Sequence, residues 1–209
     1  MSFSTLKLKL ILSQSCFWRT WARLRGAEVA KDAVIIGKLQ IRVAKGARLV
    51  IDSKVKLCSS PAINPLVSRT RCTLWAMAPG AILKLGPGVG CSSICICAAR
   101  NIRIGEGTIF GADCLVVDND FHLPGASWSW LDRPSETAKP VSIGRGCFIG
   151  ARSIILKGVT IGDGCVIGAG SLVSCDVPDG HLAAGNPVMV RPLQGRWLRV
   201  NPAPEACKT

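Results

Sequence analysis

The amino-acid sequence predicts an all-β solenoid: short strands joined by tight turns, three to a coil, with the coils stacked into a triangular prism. Three observations carry this. An aliphatic side chain recurs at every sixth position, at Ile143, Ile149, Ile155, Ile161, Ile167 and Val173. Gly follows it at Gly144, Gly150, Gly162 and Gly168, with Leu156 breaking the column in the middle. Four residues after each aliphatic stands a small or β-branched side chain: Cys147, Ser153, Val159, Cys165, Ser171 and Val177. A period of six matches neither a helix at 3.6 nor a lone strand at 2. It suits one strand plus one turn, repeated. The aliphatic points inward and stacks on its equivalents in adjacent coils, Gly provides the turn conformation that a Cβ penalises, and the small residue fits the corner. Each coil buries its core only against its neighbours, so several are required.

The same column runs upstream through Ile104, Phe110 and Val116, with Gly105 and Gly111 behind the first two. Further back it loosens. The pairs Val34 and Ile36, Ile41 and Val43, Leu49 and Ile51, Val55 and Leu57 read as short inward-facing strands, residues 61 to 80 as a looped coil, and residues 81 to 96 as a return to the helix. The organisation expected is an N-terminal cap over 1–28, a coiled domain over 29–190 and a tail over 191–209. Residues 3 to 25 hold five basic residues and no acid, with Phe17, Trp18 and Trp21 among aliphatics. A helix there would cap the first coil and protect its open edge; a peripheral contact with an anionic membrane is the alternative.

Composition narrows the class. The chain has 209 residues, of which 48% are hydrophobic and 19% charged, with a mean hydropathy of +0.34. That excludes a disordered chain, and no apolar run is long enough for a membrane-spanning helix. The 26 Lys and Arg against 13 Asp and Glu give +13, a field that attracts anions. The aromatics are not interleaved with basic residues as a base-stacking surface requires, so nucleic acid is not the expected partner. Eleven cysteines, an odd number in a chain without a secretory signal pattern, fit thiols in a reducing cytoplasm.

The column is interrupted once. Val116 and Ile143 are 27 residues apart, not a multiple of six, so an insert of about 118–140 leaves the helix. Inserts in repeat arrays map to loops on one face, often the functional one. This one begins VVDNDFHLPGASWSWLDRP and contains His122, one of two histidines in the chain. Counted from Val116, His122 falls where an inward residue belongs, so a core histidine at a coil corner is one reading. The other is a general base, with Asp118 and Asp120 close enough in sequence to orient the imidazole. The two carboxylates could equally cap turns.

DNDFH at 118–122, KPVSIG at 139–144, IGAGSLVSCDVP at 167–178 and AAGNPVMV at 183–190 together resemble the acetyltransferase branch of the hexapeptide-repeat family. The resemblance is nearest to the maltose and galactoside O-acetyltransferases and to the polysaccharide O-acetyltransferases of colanic-acid, capsule and O-antigen synthesis. It is tight from about 102 to 191 and weaker from about 25 to 101. It implies a left-handed parallel β-helix of hexapeptide repeats with an N-terminal helical cap and a short C-terminal tail. It also implies a cytoplasmic homotrimer with active sites between subunits, acetyl-CoA as co-substrate, and His122 as the base acting on a sugar hydroxyl. Acetyl-CoA would lie along the C-terminal coils, at Gly150, Ala151, Gly168, Ala169, Ser174, Cys175 and Arg191. Relatives often have Lys in place of Cys175 and Arg in place of Met189, so phosphate pairing would shift to Arg191 and Arg196. Ser92 and Ser93 stand in the region that supplies polar groups to the acceptor, and Trp128 and Trp130 could stack on a sugar ring. N-acetylation of an amino sugar and a non-catalytic scaffold remain open readings.

Other signals carry less. Cys91, Cys95 and Cys97 lack zinc-site spacing, and no metal is expected. With His122 and His181 alone, the three-histidine metal site of the γ-type carbonic anhydrases, which share the fold, is not available. Gly86, Gly88 and Gly90 have no strand-to-helix unit around them and make no dinucleotide fingerprint.

Overall fold

Three parallel sheets wind around one aliphatic core as a left-handed β-helix. The structure is a computed structural model that describes residues 3–68 and 71–195. The first sheet stacks Glu28–Val29, Arg48–Ile51, Ile82–Leu85, Asn101–Ile104, Val141–Ile143 and Thr160–Ile161. The second stacks Val34–Ile36, Lys56–Cys58, Gly90–Ser92, Ile109–Ala112, Phe148–Ile149, Val166–Ile167 and His181–Ala184. The third stacks Lys38–Val43, Arg71–Ala76, Cys95–Ala98, Leu115–Val117, Ile154–Ile155 and Leu172–Val173. Each strand contributes one to three inward side chains, and parallel register places them in columns. In the third sheet the column is Ile41, Leu74, Ile96, Val116, Ile155 and Val173, all buried. The small-residue column is equally buried, from Cys147 and Ser153 to Val177.

Where the strict six-residue spacing lapses, one expectation changes parity. Val34 and Ile36 face outward, and Ile35 between them is the core residue, in register with Leu57. Three consecutive aliphatics give no alternation to read, and the neighbouring coil decides the face.

The N-terminal helix, Phe3–Leu24, packs on the first coil. Ser15 and Ala22 are fully buried against it, and Trp18 packs on the core. The open end of a β-helix leaves strand N–H and C=O groups without a following coil. Here the helix satisfies them: Ser15 Oγ accepts from Ile35 N–H at 3.0 Å, and Arg19 donates to the Ala33 carbonyl at 2.8 Å. Two of the aromatics that suggested a membrane contact are thereby engaged, Trp18 in packing and Trp21 under the Arg25 guanidinium; Phe17 stays exposed. No described helix is long and apolar enough to cross a membrane.

At the other end, Met189–Pro192 turns back antiparallel on His181–Ala184 and ends the second sheet, so regular structure crosses the expected boundary at residue 190. Arg196, expected to serve a phosphate, lies outside the described residues.

Candidate active site

The insert leaves and rejoins the β-helix at the corner between the third and first sheets. The DNDFH run explains how. Asp118 is fully buried, and its carboxylate accepts hydrogen bonds from the backbone N–H of Ala99 (2.7 Å), Arg100 (2.8 Å) and Asn101 (2.8 Å), closing the corner of the coil below. Its carbonyl accepts from Lys139 N–H at 2.8 Å, so the two ends of the insert are tied together. Asn119, also buried, donates to Asp118 Oδ1 at 3.0 Å and accepts from Phe121 N–H at 2.9 Å, turning the chain outward. Asp120 forms an ion pair with Lys157 of the following coil. Phe121 takes a left-handed conformation (φ 64°), and the chain enters a short antiparallel ribbon of His122–Pro124 with Trp130–Asp132.

His122 is therefore exposed on the ribbon rather than turned into the core. It lines two cavities. One, of about 630 Å³, faces the N-terminal coils and is walled by Arg25, Arg42, Trp75, Met77, Phe121 and Asp132, among others. The other, of about 490 Å³, is lined by Asp120, Leu123, Pro124 and Trp130. Because Asp120 is tied to Lys157, this second cavity opens toward the C-terminal coils. An imidazole between two cavities can exchange a proton with groups presented from either side.

The structure corrects the expected partners of His122. Asp118 cannot orient the imidazole, because both its oxygens are occupied by backbone N–H groups below the ribbon. The carboxylate set beside His122 is Asp132, its direct cross-strand partner on the same face of the ribbon. Among the described residues the Asp132 carboxylate makes no hydrogen bond or ion pair, and it lines the larger cavity with His122. Sequence spacing gave no sign of it, since the nine residues between the two fold into a ribbon and turn whose length fixes the pairing.

The remaining expected residues divide among different places. Trp130 is brought to His122 and is 69% exposed; Trp128 is fully exposed at the tip of the ribbon, away from either cavity. Ser92 and Ser93 stand at the corner between the second and third sheets. Ser93 is buried, and Ser92 Oγ accepts from the Asn64 amide at 3.0 Å, so within one chain neither reaches the cavities at His122. Gly150, Ala151, Gly168 and Ala169 line that same second-to-third corner. Gly150 is buried there, because a Cβ on it would fall 2.4 Å from Ala169 N of the next coil. Ser174 and Cys175 are exposed on the His122 corner, and Arg191 is exposed on the last strand. Arg152, which the sequence reading passed over, projects from the second-to-third corner next to Ala151 with no side-chain hydrogen bond or ion pair among the described residues. Among the described residues no cluster of His, Cys, Asp or Glu is arranged to hold a metal ion.

Comparison with known proteins agrees with this architecture. Residues 140–175 match the family model described as the hexapeptide repeat of succinyl-transferase. No curated protein matches the sequence. Among solved structures, a mutant of AntD, an N-acyltransferase from Bacillus cereus in complex with dTDP-4-amino-4,6-dideoxyglucose and coenzyme A, superimposes with a TM-score of 0.55 at 18% identity, over 83% of this chain and 86% of that one. The polysialic acid O-acetyltransferase OatWY gives 0.55 at 15% identity, over 81% and 87%. The hexapeptide-repeat acetyltransferase VCA0836 from Vibrio cholerae O1 biovar eltor, complexed with acetyl coenzyme A, gives 0.54 at 18% identity, over 92% and 85%. The chain thus contains hexapeptide repeats over 140–175 and has, as a whole, the left-handed β-helix fold of the hexapeptide-repeat acyltransferases.

Proposed function

We propose that the protein transfers an acetyl group from acetyl-CoA to a sugar hydroxyl in cell-envelope polysaccharide synthesis, with His122 as general base. The observation that carries this is the placement of His122, exposed between two cavities on an insert locked into the β-helix by Asp118. Acetyl-CoA supplies the activated acyl group as a thioester. The neutral imidazole of His122 takes the proton from the acceptor hydroxyl as that oxygen attacks the acyl carbon, and returns it to the departing thiolate. Asp132, opposite it on the ribbon, would stabilise the imidazolium formed in between. No enzyme nucleophile is required, because holding both substrates against one base provides much of the acceleration.

The C-terminal coils suit a linear cofactor. Ala151 and Ala169 give a corner of small side chains along which a pantetheine chain can pass close to backbone. Arg152 and Arg191 offer guanidinium groups without partners among the described residues for its phosphates. These residues and the exposed Ser174 and Cys175 flank opposite edges of the third sheet, so one copy does not enclose a ligand that touches both. A homotrimer with sites between copies resolves this. It also accounts for Ile109 and Phe148, 51% and 46% exposed, which stack on the outer face of the second sheet in register with Val166 and Leu182. Phe148→Asp is expected to turn the assembly into monomers in sedimentation velocity.

The test is release of CoA thiol from acetyl-CoA against a panel of sugars and saccharides, with His122→Ala as control. An acetylated product cleaved by mild base is an ester and supports O-transfer. A base-stable product is an amide and would instead support N-transfer to an amino sugar, the reaction class of AntD. The absence of thiol release with every acceptor would leave a non-catalytic scaffold.

A further inference from the structure

The geometry points to an acceptor that bears an oxyanion, a phosphate or a carboxylate, held by Arg25 and Arg42 in the cavity on the N-terminal side of His122. This rests on the acetyl-transfer reading and adds the chemical class of the acceptor.

Several of the described arginines are engaged within the chain. Arg19 and Arg23 donate to carbonyls of the first coil, Arg48, Arg133 and Arg145 pair with carboxylates, and Arg71 donates to Gln40. Arg25 and Arg42 differ. Each guanidinium lies over an indole, Arg25 on Trp21 and Arg42 on Trp75, with Cζ 4.5 Å from the ring centroid in both cases. Neither side chain has a hydrogen bond or an ion pair among the described residues. A guanidinium stacked on an aromatic face is held in orientation while its in-plane N–H edges remain available, which is the geometry that binds phosphate or carboxylate in a fork. Stacking also lowers the ordering cost of recognition, because rotamer freedom is already restricted before the ligand arrives.

Both arginines line the cavity that His122 and Asp132 also line. They come from unrelated parts of the chain, Arg25 from the end of the capping helix and Arg42 from the first strand of the third sheet. The fold brings them together on the side away from the C-terminal coils. At about 630 Å³ the cavity lies in the range of about 300–1,000 Å³ typical of small-molecule sites. Trp75 adds a buried Nε1–H without a hydrogen-bond partner among the described residues. Asp132 is the acid among the lining residues, and it stands opposite His122, where a sugar hydroxyl rather than an anion would be placed.

The test is calorimetric titration of the full chain saturated with desulfo-CoA. The probes are glucose 1-phosphate, uridine diphosphate, N-acetylneuraminate and, as the neutral control, methyl glucoside. Binding by a phosphate probe or by N-acetylneuraminate, without binding by the glucoside, is expected; which of them binds tells a phosphate-linked acceptor from an acidic sugar. Arg25→Gln and Arg42→Gln are each expected to weaken that binding about tenfold, the loss of one charge-assisted pair, with desulfo-CoA affinity unchanged as evidence of an intact fold. Failure of every anionic probe to bind, or binding indifferent to both substitutions, overturns the proposal. So does a loss of desulfo-CoA affinity in the variants, which would assign the arginines to the cofactor phosphates. A wild-type chain that does not bind desulfo-CoA contradicts the acetyl-transfer reading instead, a separately visible result.

Discussion

Two corners of this β-helix differ in what interrupts them. At the second-to-third corner four successive coils turn through a residue in the left-handed conformation, Ser93, Asp113, Arg152 and Gly170, and these coils touch backbone to backbone. A Cβ on Gly111 would meet Ala151 N at 2.5 Å, and one on Gly150 would meet Ala169 N at 2.4 Å. The third-to-first corner also turns through left-handed glycines, at Gly46, Gly80 and Gly158, but it is broken once by the insert. There the chain leaves for twenty residues and returns, and one buried carboxylate, Asp118, replaces the stacked backbone as the device that closes the coil. The regular corner holds the scaffold and offers a smooth wall of small side chains. The interrupted corner sets out titratable groups. Substitutions at the two corners should accordingly separate stability from chemistry.

The sharpest separation is expected at His122. Its exposed side chain supports no packing, so His122→Ala should leave the thermal midpoint unchanged while lowering kcat by about 10²–10⁴-fold, the contribution of a positioned general base. Gly150→Val should do the reverse of this, costing about 3 kcal/mol or more in denaturant unfolding because the next coil's backbone has to move. Asp118→Ala breaks the comparison deliberately. It removes one carboxylate from three backbone N–H donors, one of them buried, so it should destabilise by about 3 kcal/mol and also reduce activity by releasing the ribbon. Equal effects on unfolding and on kcat would be the signature. Asp132→Asn is the smallest case: about a tenfold fall in kcat at unchanged stability, with KM for acetyl-CoA unaffected. A larger loss of stability than of kcat there would assign Asp132 to the fold of the ribbon rather than to the imidazole.

How far the sequence could be read follows the same division. The columns from Ile143 to Val173 were legible because a period of six is strict there, and one residue per turn must face inward. The looser coils were legible as strands but not in parity, as Val34, Ile35 and Ile36 show, because no polar residue marks the outer face. His122 was legible as a candidate because it interrupts the column on an insert. Its neighbours were not. Asp118, directly after a strand, turns its carboxylate to the backbone of the coil below, while Asp132, to which sequence distance gave no role, returns beside His122 across a ribbon. Arg25 and Arg42 gave no local signal at all. Their significance depends on a helix crossing the first coil, a tertiary arrangement that no spacing encodes.

Titration of desulfo-CoA into the wild type and His122→Ala, with turnover of acetyl-CoA measured on the same samples, tests the division between corners most directly. Equal affinity in the two proteins, with turnover confined to the wild type, is the expected result: the regular coils hold the cofactor and the insert performs the chemistry. Loss of cofactor binding in the variant, or no binding in a folded wild type, would contradict it.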